Sequence, residues 1–157
     1  MCMSNLNTLG IDIGSTTVKI AILDGNNHIL FADYQRHFAN IQETLAQLLK
    51  KARESLGAMD VIPAITGSGG LTLSKHLDVP FIQEVVAVAG ALQDYAPQTD
   101  VAIELGGEDA KIIYFTGGID QRMNGICAGG TGSFIDQMAS LLQTDASGLN
   151  RYAADYK

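Results

Sequence analysis

The same local order of elements occurs twice along this chain, and the repetition limits the folds that it can adopt. An apolar, β-branched run from Thr8 to Ile13 leads into a glycine turn, a return run from Val18 to Leu23, a hairpin turn and a third strand. The same order returns from Val101 to Met123. Recurrence of a pattern is the mark of a duplicated unit. The sequence therefore predicts an α/β protein with a first unit at residues 1–97 and a second at 98–157.

Amphipathic spacing predicts the helices that join these strands. A helix at 41–56 has leucines at three- and four-residue intervals, and a second at 84–95 has small residues that permit close helix contact. Between them, a short strand at 61–66 runs into the glycine loop 67–70. The second unit has one predicted helix, at 131–142, followed by a polar tail to the last residue. That unit is therefore expected to be incomplete.

The first glycine turn carries the residue types of a phosphate site. Gly14 lets the backbone approach an anion closely, Ser15 and Thr16 offer N–H and hydroxyl donors, and Lys19 adds a positive charge. Asp12, at the end of the preceding strand, is placed to hold Mg²⁺ through its water shell. The alternative is an ordinary hairpin whose donors serve only the fold.

The second turn repeats this layout with an acid at a strand end, glycines in the turn and a lysine in the return strand. The residues are Glu104, Gly106, Gly107, Asp109 and Lys111. If the two turns belong to facing lobes, phosphates would be held from both sides, with acids on a metal ion and glycine amides on oxygens. A pair of structural hairpins is again the alternative.

Composition excludes several classes of protein. A net charge of −7 offers no basic surface to a nucleic-acid backbone, so nucleic-acid partners are not expected. No apolar run approaches the roughly 20 residues that cross a bilayer, and the first eight residues do not resemble a signal peptide. Membrane insertion is therefore not expected, and the cytoplasm is the predicted location. Two distant cysteines, Cys2 and Cys127, make neither a disulfide framework nor a four-ligand metal site.

Cys127 stands in a glycine loop before the last predicted helix. The N–H groups and dipole of a helix N-terminus favour a thiolate or an anionic cluster, so this cysteine suits redox chemistry. The alternative is an inert cysteine in a turn. His28, His37 and His76 show no ligand spacing, and surface or satisfied core positions are expected for them. The loop at 67–70 either borders a ligand cleft or is a plain strand-to-helix turn.

Three segments, GIDIGSTTVK, ELGGEDAKI and MNGICAGGTGSFIDQ, resemble successive motifs of the 2-hydroxyacyl-CoA dehydratase activators, the BadF/BadG type of ATPase. That family belongs to the superfamily of actin and the acetate and sugar kinases. The resemblance runs in order along nearly the whole chain. It implies an actin-like ATPase (ribonuclease H-like) fold, with a first lobe and an incomplete second lobe.

The resemblance also implies ligands and roles. ATP or ADP with Mg²⁺ would bind at the two turns, with Asp12 and Glu104 catalytic and the other turn residues on the nucleotide. In such activators a 4Fe-4S cluster is shared between the subunits of a homodimer, and Cys127 matches the first of two cysteines that each subunit contributes. The second cysteine would lie beyond residue 157. The sequence is therefore expected to be the N-terminal part of a longer protein.

The implied function is an ATP-driven activator that donates a low-potential electron to a CoA-ester dehydratase or reductase. A carbohydrate or acetate-type kinase of the same superfamily is one alternative, and a non-catalytic nucleotide sensor is another. The cysteine loop favours the activator, because the kinases of the superfamily lack it. The 157 residues alone are expected to bind nucleotide weakly and to be inactive.

Overall fold

The chain divides into two units, Met1–Ala96 and Pro97–Lys157, and the described residues of each unit form a β-sheet. The computed structural model describes residues 6–124 and 129–155. No helix in those two ranges is both long and apolar enough to cross a bilayer.

The described part of the first unit, residues 6–96, contains a four-stranded sheet and three helices. Its strands are β1 (Asn7–Ile13), β2 (Thr17–Leu23), β3 (Ile29–Arg36) and β4 (Val61–Thr66), and its helices are α1 (Ile41–Leu56), α2 (Gly70–Leu77) and α3 (Glu84–Tyr95). The strand order is β3-β2-β1-β4, with β1 antiparallel to β2 and parallel to β4. β3, in which apolar and polar residues are mixed, lies at one edge of the sheet.

The core of this unit lies between the sheet and α1. Alternate residues of β1 and β2 are buried, and they pack with Ile65 against one face of α1. The buried side chains are Leu9, Ile11, Ile13, Val18, Ile20, Ile22, Leu45, Leu48, Ala52 and Ile65. Burial of each Leu, Ile or Val side chain contributes about 1.5–3 kcal/mol. The helical period predicted for α1 is therefore confirmed, and the two central strands bury every second residue.

Charged groups fix the edge strand and its hairpin. Lys51 of α1 donates to Asp33 of β3 at 3.0 Å, and this hydrogen bond holds the pKa of Asp33 below its usual value. In the hairpin turn between β2 and β3, Asp24 accepts the backbone N–H of Asn26 at 2.8 Å and that of His28 at 2.9 Å. The bond from His28 lowers the pKa of Asp24. The predicted turn residues thus close this hairpin through a carboxylate.

The second unit repeats the three-stranded opening of the first. Its strands are β5 (Val101–Leu105), β6 (Ala110–Tyr114) and β7 (Asp120–Met123), and its helices are α4 (Gly132–Leu141) and α5 (Ala146–Ala154). The order β5-β6-β7 is antiparallel throughout, like β1-β2-β3. The repeated meander that the sequence predicts is confirmed.

The prediction of a polar tail after residue 142 is wrong, because α5 lies there. Asp145 precedes this helix in an extended conformation, and its side chain accepts the N–H of Gly148 at 2.8 Å. An aspartate in this position satisfies one of the otherwise unpaired N–H groups of the first turn. The helix has only nine residues, and its capping residue and its packing on α4 support it.

Alanine substitution at two helical glycines is predicted to change the free energy of unfolding in opposite directions. A Cβ at Gly70, in α2, would lie 2.8 Å from Cγ2 of Ile65, whereas nothing lies within 4 Å of a Cβ at Gly90, in α3. Gly70→Ala is expected to lower the free energy of unfolding by about 1–3 kcal/mol through overpacking. Gly90→Ala is expected to raise it by about 0.5–1 kcal/mol, because alanine costs less entropy in a helix. Urea denaturation of the two variants tests the pair, and equal shifts of the same sign would contradict it.

Candidate phosphate-binding turns

The first turn joins β1 to β2 and sets an acid opposite a lysine. The Gly14 N–H donates to the Thr17 carbonyl at 2.9 Å and closes the turn. Asp12 and Lys19 are direct partners in the antiparallel register, and Lys19 Nζ lies 2.7 Å from Asp12 Oδ2. Ser15, at the tip, is exposed to solvent. The structure therefore brings together all five residues that the sequence assigned to this site.

The second turn joins β5 to β6 in the same way. The Gly106 N–H donates to the Asp109 carbonyl at 2.8 Å, and Glu104 lies opposite Lys111 in the register. Lys111 Nζ is 3.6 Å from Glu104 Oε1 and 3.4 Å from Asp109 Oδ2. A Cβ at Gly106 would overlap Asp109 Oδ1, so only glycine leaves room for that carboxylate. The five residues assigned to this turn also lie together.

The two turns are equivalent in detail. Acid, glycine, closing residue and lysine have the same spacing in both, as 12, 14, 17 and 19 in the first turn and as 104, 106, 109 and 111 in the second. The main difference is burial, because Lys19 is half exposed and Lys111 is only 8% exposed. The repeated sequence pattern therefore forms the same turn geometry in each of the two sheets.

Each lysine forms an ion pair with the acid opposite it in the register. Since Lys19 neutralises Asp12, the donors left for an anion at the first turn are backbone N–H groups and hydroxyls. The second turn carries three carboxylates, those of Glu104, Glu108 and Asp109, against one lysine. A phosphate at that turn would be repelled unless a cation came with it.

An oxygen atom with no hydrogen bond lies beside each turn. Thr66, the partner of Asp12 across the parallel β1–β4 pair, has a buried Oγ1, and Glu104 has a buried Oε2. Neither atom has a partner within the part of the chain that the structure describes. A buried polar atom left unbonded costs about 1–3 kcal/mol. Both strand ends therefore have an oxygen atom that could hydrogen-bond to a ligand or to water.

The glycine loop at 67–70 packs against the first turn, a contact that sequence reasoning left open. The Gly69 N–H donates to the Ile13 carbonyl at 2.9 Å. Gly67 has a φ of +94°, and a Cβ there would overlap the Ile13 carbonyl and lie 2.5 Å from Asp12 Oδ1. The parallel pairing of β1 with β4 brings the two strand ends to one edge. The cluster of glycines directly after β4 is the sequence feature from which this contact could have been predicted.

His37 also contacts the first turn. Its side chain is buried, and Nε2 lies 3.2 Å from the Gly14 carbonyl oxygen. Its backbone N–H donates to the Thr16 carbonyl at 3.2 Å. The expectation of a satisfied core position is confirmed for this histidine. The sequence held no signal for its contact with the turn, because the partner is a backbone atom 23 residues away.

The N-terminal end of α4 is hydrogen-bonded to the second turn. The N–H groups of Gly132 and Ser133, which begin α4, donate to the carbonyls of Gly106 and Gly107, each at 2.9 Å. The Ser133 hydroxyl also donates to Gly107 at 2.6 Å. Two of the N–H groups that were expected to favour a thiolate are thus committed to the turn. Cys127 itself lies outside the described residues.

Paired three-stranded meanders with equivalent glycine turns define a protein of the actin-like ATPase fold. The chain belongs to the BadF/BadG/BcrA/BcrD ATPase family, whose model matches residues 9–153. The family predicted from the three motifs is therefore confirmed.

Similar proteins of this type include characterised activators. The (R)-2-hydroxyglutaryl-CoA dehydratase activating ATPase of Acidaminococcus fermentans is 30% identical over 155 residues, covering 96% of this chain and 59% of that protein. The crystal structure of the A. fermentans dehydratase component A matches 97% of this chain and 60% of its own chain, at 27% identity and a TM-score of 0.86.

A nucleotide-bound structure is also similar. The activator of 2-hydroxyisocaproyl-CoA dehydratase from Clostridium difficile, with bound ADPNP, matches 97% of this chain and 58% of its own, at 27% identity and a TM-score of 0.83. This chain thus spans about three fifths of the length of the proteins it matches.

Removing the two lysines is predicted to have unequal effects on stability. Lys111→Met removes a buried cation from between the partly exposed carboxylates of Glu104 and Asp109, so the free energy of unfolding should fall by about 1–3 kcal/mol. Lys19→Met breaks a half-exposed pair and should cost less than about 1 kcal/mol. Urea denaturation of the two variants measures the difference. Equal losses would show that burial of Lys111 does not matter.

Proposed function

We propose that the whole protein is an ATP-hydrolysing iron–sulfur activator, which donates a low-potential electron to a CoA-ester dehydratase or reductase. It would act as a homodimer that shares one 4Fe-4S cluster. The observation that carries this proposal is the pair of equivalent turns, each with an acid and a lysine opposite one another and a glycine between them. The names of the similar activators support the class of client.

Backbone donors would bind the phosphates of ATP and ADP. Ser15 and Thr16 would donate to phosphate at the first turn, and Gly107 at the second. Gly14 and Gly106, whose own N–H groups close the turns, would contact the phosphate by letting it approach the backbone. Glycine leaves the peptide N–H groups accessible, and fixed N–H groups bind anions without bringing a mobile charge. Lys19, Asp109 and Lys111 would act mainly by holding the acids and the turns in place, since their charged groups are already paired.

The charges favour Mg²⁺ as a companion of the nucleotide. Among the described residues, no group of three or more histidine, cysteine, aspartate or glutamate side chains could hold a metal ion by itself. Mg²⁺ in nucleotide sites is commonly held by one or two carboxylates together with waters and phosphate oxygens. Asp12 fits this role through water, and Glu104, with its unbonded Oε2, fits a role in orienting the attacking water.

The bonds between the second turn and α4 would connect nucleotide binding to the cysteine loop. A change of phosphate contacts at Gly106 and Gly107 would act on the same peptides that accept hydrogen bonds from Gly132 and Ser133. Cys127, five residues before Gly132, would be a thiolate ligand of the cluster, which supplies the transferable electron. Whether ATP or ADP is bound would in this way affect the surroundings of the cluster.

Acid substitutions test the hydrolytic role. In the whole protein, Asp12→Ala and Glu104→Ala should each lower the rate of ATP hydrolysis roughly a hundredfold or more, because each removes a group that acts on the reacting phosphate or its metal ion. Glu54→Gln, on the exposed face of α1, is the control and should keep the wild-type rate. Steady-state phosphate release is the measurement. Full activity in both alanine variants would refute the assignment.

Cysteine substitutions test the redox role. After anaerobic reconstitution of the whole protein with iron and sulfide, the wild type and Cys2→Ser should show cluster absorbance and sediment as dimers. Cys127→Ser should lose the absorbance, since the cluster would lack one of its thiolate ligands. Retention of a full cluster in Cys127→Ser would exclude this cysteine as a ligand. ADP release stimulated by a sugar would instead indicate a kinase.

A further inference from the structure

The hydrogen bonds of His37 fix which of its ring nitrogens carries the proton. The backbone N–H of Ala39 donates to Nδ1 at 3.0 Å, so Nδ1 must be unprotonated. In the neutral ring the proton is then on Nε2, which lies 3.2 Å from the Gly14 carbonyl oxygen. Nε2–H therefore donates to Gly14. One neutral tautomer satisfies both contacts of this buried ring.

This contact orients a peptide group of the first turn. The peptide between Gly14 and Ser15 is planar and trans, so its carbonyl and its N–H point in opposite directions. Holding the Gly14 carbonyl toward His37 directs the Ser15 N–H away from the histidine. The backbone N–H of His37 donates to the carbonyl of Thr16, two residues after Gly14, at 3.2 Å. One residue thus fixes two carbonyls on either side of the exposed Ser15.

The backbone after His37 is strained. Phe38 and Ala39 both have left-handed conformations, with φ of 44° and 68°, although neither is glycine. Each such residue costs on the order of 1 kcal/mol, and strain of this kind persists only where the surroundings enforce it. The strained pair brings the Ala39 N–H onto Nδ1, and Asn40 N–H closes back on the His37 carbonyl at 2.6 Å. The segment is therefore built around the orientation of one imidazole ring.

We propose that His37 is a positioning residue for the phosphate-binding turn. Its Nε2–H would hold the Gly14–Ser15 peptide so that the Ser15 N–H is presented to the nucleotide phosphate. The histidine would act through the turn and not touch the ligand itself. This inference rests on the proposed function, because it assigns the first turn to phosphate binding.

Two substitutions of His37, by glutamine and by asparagine, distinguish a positioning role from a role in packing alone. Glutamine places an amide N–H near the position of Nε2 and can donate to Gly14, but it lacks the acceptor for Ala39. Asparagine places an oxygen near the position of Nδ1 and can accept from Ala39, but it does not reach Gly14. Each variant loses one hydrogen bond, so their thermal midpoints should fall by similar amounts. His28→Gln, in the distant β2–β3 hairpin, is the control.

MgADP binding to the whole protein, measured by calorimetry, is the main readout. His37→Asn should weaken the affinity by about fivefold or more, the loss expected when one hydrogen bond is misplaced. His37→Gln should stay within about twofold of the wild type, and His28→Gln should not change it. Equal weakening in both His37 variants, or no weakening in either, would overturn the proposal.

Nitrogen-15 NMR of the imidazole and of the turn amides gives a readout that does not depend on nucleotide. The wild-type His37 ring should show an unprotonated Nδ1 and a protonated Nε2, and the reverse pattern would overturn the inference. The Ser15 amide signal should move in His37→Asn and little in His37→Gln. If wild-type protein binds no MgADP, the proposed function fails, while this pattern at Ser15 would still support orientation of the turn. An unmoved Ser15 signal in both variants would refute it.

Discussion

An acid and a lysine that face each other across two antiparallel strands are the constraint on which both turns depend. Register in a sheet is fixed to a whole residue, and a slip of one would move each side chain to the opposite face. In β1–β2 such a slip would expose Ile11 and Ile13 and separate Asp12 from Lys19. The apolar core and the ion pair therefore select the same register, and that register places Gly14 where the chain reverses.

Most of the fold could be predicted because periodicity is a local property. The bounds of α1, α3 and β4 follow from apolar spacing and from the glycine or proline near their ends, and the structure has them at the predicted residues. The last helix, α5, was missed because it is short and contains Ser147, Gly148 and Asn150, which have low helix propensity, so that Asp145 and contact with α4 are needed to support it. The left-handed backbone at Phe38 and Ala39 was also beyond prediction, since neither residue type favours that conformation.

The residues of the candidate site also fall into two groups, those that the sequence reveals and those that only tertiary structure brings to the site. Asp12, Gly14, Lys19 and their counterparts in the second turn could be found because each set is continuous in the sequence. Gly67 and His37 reach the first turn only through tertiary structure: the parallel pairing of β1 with β4 brings up Gly67, and the path of the chain after β3 brings back His37. The ion pairs of Lys19 with Asp12 and of Lys111 with Glu104 could not be predicted either, since a lysine near a turn can face either a ligand or the neighbouring strand.

The attachment of α4 to the second turn has a mechanical consequence. A helix of ten residues is about 15 Å long, and its first two N–H groups are fastened to consecutive peptides of the turn. A rotation of those peptides by a few degrees would tilt the helix as a stiff rod, so that its far end moves further than the atoms that started the motion. Since Leu141 and Leu142, at that far end, are largely exposed, the greatest displacement would fall on an apolar, solvent-facing surface.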